Sequence, residues 1–325
     1  MKKDITIVSS MVGAGLEREY LLLKALLESN GDYVMGVHYT DMNSQLHPSD
    51  IMISFEVVAP RTLNLSKENW LFPNSEWWDL RNDQFLPYFS KILCKTQDCY
   101  DIWCKKVGAN KCVYTSFEAR DLYKPEIQRE YKFLHVAGKS EHKNTESVLN
   151  AWALPHDGQE PLPPLTVVAR GPKIEAPFLN RRLDDMFPDK NVTYHAMLPD
   201  DKIIELMNTH KFHVIPSMYE GFGHVIHEGL GCDAFVITTD ARPMNTYEGI
   251  VRECLIPVSG VTPYRLAQLN QVSAISVNNM VRKAVQILKS EEAAQESERP
   301  NAREAFLKNR EFFQRQILDL ANAVK

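Results

Sequence analysis

The chain has 325 residues, 44% of them apolar and 24% charged, with a formal charge of -5 at pH 7. That length holds two domains of ordinary size, and the composition is that of a globular chain with no run of about 20 apolar residues to span a bilayer. The acidic balance argues against a dedicated non-specific DNA binder, although it leaves room for a local basic groove.

The first residues, Met1 to Ser10, carry too short and too alternating an apolar stretch for a signal peptide and read as a first buried strand, so a cytoplasmic protein is expected. The six cysteines form no Cys-x-x-Cys pair and read as free thiols in a reducing compartment. Ile5 to Ser9 is a strand, Met11 to Gly15 a glycine-containing turn, and Leu16 to Ser29 a helix with apolar residues at Leu16, Tyr20, Leu23 and Leu27. Val34 to Tyr39 and Ile51 to Val58 are further strands, and this alternation implies a parallel sheet with helices on both faces. Residues 60 to 90 are less regular, with Trp70, Trp77, Trp78, Phe85 and Tyr88 among prolines. They fill a satellite core or line a cleft.

A second unit starts near Tyr131. Phe133 to Ala137 is a strand, Gly138 to Lys143 a loop, and Asn144 to Ala153 a helix capped by Asn144 or Thr145. After the proline-rich connection 155–164, strands follow at Leu165 to Ala169, Val192 to Ala196, Phe212 to Pro216 and Ala234 to Thr238, with helices between them. A long amphipathic helix, Asn301 to Val324, closes the chain. The expected organisation is α/β: residues 1–130, residues 131–300, and a C-terminal helix over 301–325.

The most informative segment is Ser217 to Gly231, Ser-Met-Tyr-Glu-Gly-Phe-Gly-His-Val-Ile-His-Glu-Gly-Leu-Gly. It follows an apolar strand, and a helix should begin near Gly223. Free backbone N–H groups and the positive end of a helix dipole then meet at the carboxyl edge of a sheet, a place suited to a diphosphate. Gly221 and Gly223 allow close approach to the main chain. Glu220 stands before the helix, and Glu228 over a turn further on, where a carboxylate can accept from two vicinal hydroxyls. A solvated helix with incidental glutamates is the plainer alternative, and the combination of strand, turn and spacing outweighs it.

This segment resembles the Glu-x7-Glu motif of family 4 glycosyltransferases, retaining enzymes of the GT-B fold with two facing Rossmann-like domains. The resemblance implies that Glu220 contacts the transferred sugar and Glu228 the nucleotide ribose. The amides of Gly221, Phe222 and Gly223 would hold sugar hydroxyls and those after them, from His224, the phosphate. Phe133 to Thr145 resembles the family's strand, Gly-Arg, short loop, Lys pattern, with Lys139 in place of arginine and Lys143 as the second cation. Both would steady the departing diphosphate. Simple solvation of both lysines, or a P-loop tail lacking its first glycine, is the competing reading.

Gly13 and Gly15 after the first strand suit a loop approaching the donor phosphate. As an NAD fingerprint they fail, because Arg18 takes the place of the third glycine. Leu71 to Trp78 ends a strand, and its Asn74 and Glu76 are candidates for the cleft, with Glu76 a catalytic candidate; structural packing is equally reasonable. His38 is a guess for an N-domain histidine, and Arg242 borders the donor. His224 and His227 form no zinc signature with Glu228, and no Asp-x-Asp triplet exists, so no metal and no cofactor beyond the nucleotide sugar are expected.

The resemblance thus implies a metal-independent retaining transfer of a hexosyl or pentosyl group from a nucleotide diphosphate sugar to an acceptor hydroxyl. The last helix is expected to return to the first domain. Lys91, Lys95, Lys105, Lys106, Lys111, Arg120 and Lys124, interleaved with Tyr100, Trp103, Tyr114 and Phe117, are compatible with nucleic acid. The compact chain is similar to viral glycosyltransferases that modify hydroxymethylated DNA bases. A solvated helical face is the simpler account, and a glycan or lipid-linked acceptor is the family's default. An NAD-dependent oxidoreductase and a non-catalytic sugar-nucleotide-binding protein are the rival classes.

Overall fold

The structure is a computed structural model, and it describes residues 2–10, 14–41, 47–155, 158–170 and 191–325. The chain divides into two compact units. Unit 1 is Met1–Ala119 with Tyr264–Ala267 and Lys308–Lys325, and unit 2 is Arg120–Pro263 with Gln268–Leu307. The boundary therefore falls at Ala119/Arg120, where the sequence reading sets it at 130/131.

In unit 1 the elements run β1 (Asp4–Ser9), α1 (Ala14–Ser29), β2 (Tyr33–His38), β3 (Ser49–Phe55), β4 (Ser66–Phe72), β5 (Lys91–Cys94), α2 (Gln97–Val107) and β6 (Cys112–Tyr114). Among the described residues they form a parallel sheet in the order β2-β1-β3-β4-β5-β6. The apolar runs of β1, β3 and β4 are buried almost throughout, the pattern of strands covered on both faces.

Within the less regular residues 60–90, β4 ends at Phe72, in the segment from Leu71 expected to close a strand. The aromatics there divide. Trp78 is buried and packs edge-on against Trp103 of α2 at 4.9 Å, so the satellite-core reading holds for it, while Trp77 is exposed. The basic stretch from Lys91 to Lys124 is not one solvated helical face. It contains β5, α2 and β6, with Trp103 and Phe117 in the core and the Lys95 ammonium fully buried. Thr96 caps α2 by accepting from the Cys99 amide at 3.1 Å, and Gly108, at φ +91°, ends it.

In unit 2 the elements run β7 (Glu130–Gly138), α3 (Thr145–Trp152), β8 (Leu165–Ala169), β9 (Val192–His195), α4 (Asp200–Thr209), β10 (His210–Ile215), α5 (His224–Gly231) and β11 (Phe235–Thr238). The paired strands β12 (Gly260–Tyr264) and β13 (Ala267–Gln271), whose end residues Tyr264 and Ala267 are counted with unit 1, and helix α6 (Ala274–Ala294) follow. The main sheet is parallel with the order β11-β10-β7-β8-β9. Alternate residues of β7 and β8 point to opposite faces. Phe133 and Val167 pack with Val148 and Leu149 of α3 and Val277 and Val281 of α6, whereas Leu134 and Val168 pack with Met207 of α4.

The closing helix α7 (Ala302–Ala323) begins in unit 2 and ends in unit 1. Its unit 1 half packs Phe313 against Phe117 at 4.6 Å, and Asn309 donates to the Phe117 carbonyl at 2.7 Å. One capping expectation fails. Asn144 occupies the N-cap of α3 at φ +58° but makes no side-chain cap bond, and the Thr145 hydroxyl bonds instead to His135. No helix among the described residues is long and apolar enough to cross a membrane.

Candidate functional site

Strand β7 leads outward in one direction to β8 and β9, while β10 and β11 lie on its other side. The sheet order therefore reverses between β7 and β10. In open parallel sheets, ligands bind outside the carboxyl ends of the strands at that reversal. The two loops leaving this point are 139–144 after β7 and 216–223 after β10. They carry the lysine pair and the first glutamate of the sequence analysis.

The loops are bound to each other. The Met218 amide donates to the His142 carbonyl at 2.7 Å. The Thr239 hydroxyl donates to the Ser217 carbonyl at 2.7 Å, and Asn270 of β13 donates to the Met218 carbonyl from both its amide and its side chain. Below them, His135 joins β7 to β10 and α3: Nδ1 meets the Val214 carbonyl at 2.8 Å and Nε2 the Thr145 hydroxyl at 2.9 Å. Burial lowers its pKa to about 4, so the ring is neutral, donates from Nδ1 and accepts at Nε2.

On this frame Lys143 closes a short 3-10 turn, Glu141–Lys143, and its ammonium donates to Oε1 of Glu220. The Ser217 hydroxyl donates to the same oxygen. Glu220 is only 8% exposed, so ammonium and hydroxyl fix the carboxylate in place. Lys139 is exposed on the same loop. Gly223, at φ +84°, is the N-cap of α5. A Cβ there would lie 3.4 Å from the Tyr247 hydroxyl oxygen in a backbone conformation that side chains rarely adopt. A glycine cap cannot occupy the first-turn N–H groups of α5, so they stay available to an anion.

Phe222 stacks on His227 with ring centres 4.2 Å apart and 3° between planes, and Tyr247 donates to the Phe222 carbonyl at 2.7 Å. His224 is half-buried beside Phe222. His227 is buried, and burial lowers its pKa to about 3. Glu228 is 2% exposed and takes a bond from Nε of Arg120 at 2.8 Å. Gly221 is half-buried between Glu220 and Phe222, and Arg242 is exposed. Among the described residues, no group of three or more histidines, cysteines or acids is placed to hold a metal ion.

The other candidates lie in unit 1. Gly13 is outside the described residues, and Gly15 is exposed in the first turn of α1. His38 ends the edge strand β2 and bonds the Thr40 hydroxyl at 2.8 Å. Asn74 is half-buried after β4. Glu76 is buried within electrostatic reach of Lys95, together with Glu19 and Glu56.

That charged cluster, beyond the carboxyl ends of β3, β4 and β5, escaped the sequence reading. Lys95 bonds Glu19 at 2.6 Å. Burial works against its charge, but the carboxylates of Glu19, Glu56 and Glu76 outweigh burial and raise its pKa. Burial pushes Glu56 up to about 8 against the pull of Lys95, and its backbone is left-handed at φ +59°. The available signal was a charged residue directly after each of two buried apolar strands, Phe55-Glu56 and Cys94-Lys95. Arg120 was noticed only as part of a basic stretch.

Residues 120–249 match the family model described as glycosyl transferases group 1. No curated protein matches the chain. Among solved structures, it is similar to a glycosyltransferase from Rickettsia africae (15% identity, 99% of this chain and 98% of that one, TM-score 0.70). It is also similar to a sucrose-phosphate synthase from Thermosynechococcus elongatus (14%, 99% and 98%, TM-score 0.71). A third is Anabaena HepE in complex with UDP and glucose (14%, 99% and 100%, TM-score 0.66). At these identities the likeness shows the fold, which is the GT-B arrangement of two Rossmann-like domains.

Proposed function

We propose, from the premise that residues 120–249 are a group 1 glycosyl transferase segment carried on a GT-B fold, that the protein moves a sugar from a nucleotide diphosphate sugar to an acceptor hydroxyl. The observation that carries this reading is the fixed Glu220 carboxylate, held by Lys143 and Ser217 beside the uncapped start of α5. Glu220 accepts from a hydroxyl of the transferred sugar, with the amides of Gly221, Phe222 and Gly223 as its neighbours. Lys139, Lys143 and the first-turn amides of α5 take the diphosphate, and Glu228 takes the ribose.

Transfer proceeds with retention of anomeric configuration, by attack on the face the nucleotide leaves. Positioning and stabilisation of diphosphate charge are then the protein's main contributions. Lys143, held by Glu220, with Lys139 and the backbone amides, supplies positive charge, so no divalent cation is required. HepE, crystallised with UDP and glucose, supports a uridine nucleotide as the first donor to try. The reaction takes place in the cytoplasm. The acceptor is a glycan, a lipid-linked sugar or a hydroxymethylated base.

The test is a panel of nucleotide sugars offered with glycan acceptors and with hydroxymethylated duplex DNA, with and without EDTA. Transfer or slow donor hydrolysis with at least one nucleotide sugar, undiminished by EDTA, is expected. Inertness toward every donor overturns the transferase reading. A strict demand for added manganese overturns the metal-free part, and no response to the DNA removes the nucleic-acid acceptor.

A further inference from the structure

Glu228 is buried, and a buried carboxylate keeps its charge only when it is paired and hydrogen-bonded. Its cationic partner is Arg120, the first residue of unit 2. The guanidinium is engaged on two sides. Nε donates to Oε1 of Glu228 at 2.8 Å, and Nη1 donates to Asp200, at the start of α4, at 2.7 Å. Nη2 is buried and makes no hydrogen bond among the described residues. Arg120 thus fixes Glu228 from the side of α4.

The next residue strengthens the placement. Asp121 takes both terminal nitrogens of Arg303, at 2.6 and 2.7 Å, and Arg303 also donates to the Gly231 carbonyl at 2.8 Å. Gly231 is the last residue of α5, the helix that bears Glu228. The segment carrying Arg120 is therefore anchored to the far end of the same helix, and the Arg120–Glu228 geometry is set from two directions.

An ionised carboxylate has about four acceptor positions, and the bond from Nε takes one of them. A rotated carboxylate aims the remaining positions elsewhere. We propose that Arg120 is the positioning residue of the nucleotide site: it holds the Glu228 carboxylate oriented so that the pocket takes a ribonucleoside diphosphate in preference to its deoxyribose counterpart. This rests on Glu228 as the ribose contact. Arg120 acts through that carboxylate and does not itself touch the reacting atoms.

The test is calorimetric binding of UDP, ADP and GDP, each beside its 2′-deoxy counterpart, to the parent protein and to Arg120→Met, Arg120→Lys, Glu228→Gln and the Arg120→Met/Glu228→Gln double variant. The parent should favour the ribonucleotide by about tenfold to a hundredfold, the range of one hydrogen bond to a charged group. Arg120→Met and Glu228→Gln should each bring the ratio close to one, with no further fall in the double variant. Arg120→Lys, which keeps the charge but loses the Nε geometry, should give an intermediate ratio. A merely structural arginine would weaken both nucleotides alike and leave the ratio unchanged, so a parental ratio in Arg120→Met overturns the inference while sparing the Glu228 reading. A parent that binds ribo and deoxy forms equally, or binds none of the three nucleotides, overturns the ribose reading and this inference with it.

Discussion

Acidification should destabilise this protein well above the range where carboxylates titrate, and unit 2 is the reason. Burial lowers the pKa values of His135 and His210 to about 4, and those of His213 and His227 to about 3. An unfolded histidine titrates near 6.5, so between there and about pH 4 the unfolded chain binds more protons than the folded one. Stability from these groups is present above pH 6.5 and is lost as the pH falls. Going from about pH 7 to about pH 5.5, each ring contributes a loss of about 1.2 kcal/mol, or about 5 kcal/mol for the four. The figure depends little on how deeply each pKa is lowered, because the folded rings stay neutral throughout the interval.

Glu56 in unit 1 acts in the opposite sense. Its folded pKa, raised to about 8, lies above the unfolded value, so its contribution grows as the pH falls. Over the same interval it returns about 2 kcal/mol, leaving a net loss of about 3 kcal/mol. Urea titrations at the two pH values, followed by tryptophan fluorescence, give the difference directly. His227→Leu removes one of the four rings and should reduce the loss by about 1.2 kcal/mol. An unfolding free energy that stays level across the interval, or a His227→Leu variant that loses as much as the parent, would refute the argument.

Glu220→Gln and Lys143→Met should each lower transfer by on the order of a hundredfold or more, because charge is preorganised at this point, while nucleotide affinity in Glu220→Gln changes little. Single-turnover kinetics beside calorimetric titration separate these effects, and parental rates in both variants would exclude the site. Gly229→Ala places a Cβ 2.7 Å from Nδ1 of His213 and 3.1 Å from Val236, so a loss of about 1–3 kcal/mol is expected in urea titration. Lys95→Met leaves Glu19 buried without its ammonium and should cost about 3–5 kcal/mol, whereas Lys95→Met with Glu19→Leu should recover most of that loss. Equal stability of the single and double variants would show that the pair is not coupled.

The donor half was legible because its chemistry is contiguous. Strand, turn, two glycines and two glutamates fall within one short segment, and α5 begins one residue after Gly223. Strands β1 to β3 and β7 to β11 were readable as apolar runs, most of them rich in β-branched residues, whereas the short β5 and β6 were not. What escaped depends on neighbours distant in the chain. Arg120 acquires its meaning from Glu228, and Lys95 from Glu19 on α1. The side-chain cap expected at Asn144 failed because that residue adopts a left-handed backbone, which asparagine tolerates and sequence does not announce. The short strands β12 and β13 are exposed or half-buried at every residue but Asn270 and include Pro263, so neither alternation nor an apolar run marks them. Helix α6 did carry a signal, with Val277, Val281, Ala284 and Leu288 on one buried face, and it went unread.

The division of α7 between the units bears on the order in which the chain folds during synthesis. Unit 2 has its last residues once Leu307 has been made, but unit 1 still lacks residues 308–325. Until then nothing fills the place of Phe313 against Phe117, Asn309 cannot bond the Ser116 hydroxyl or the Phe117 carbonyl, and Lys3 has no Val324 carbonyl to meet. The unit made first is thus completed second. Between those two moments, its exposed apolar surface is the part of the nascent protein in need of a chaperone.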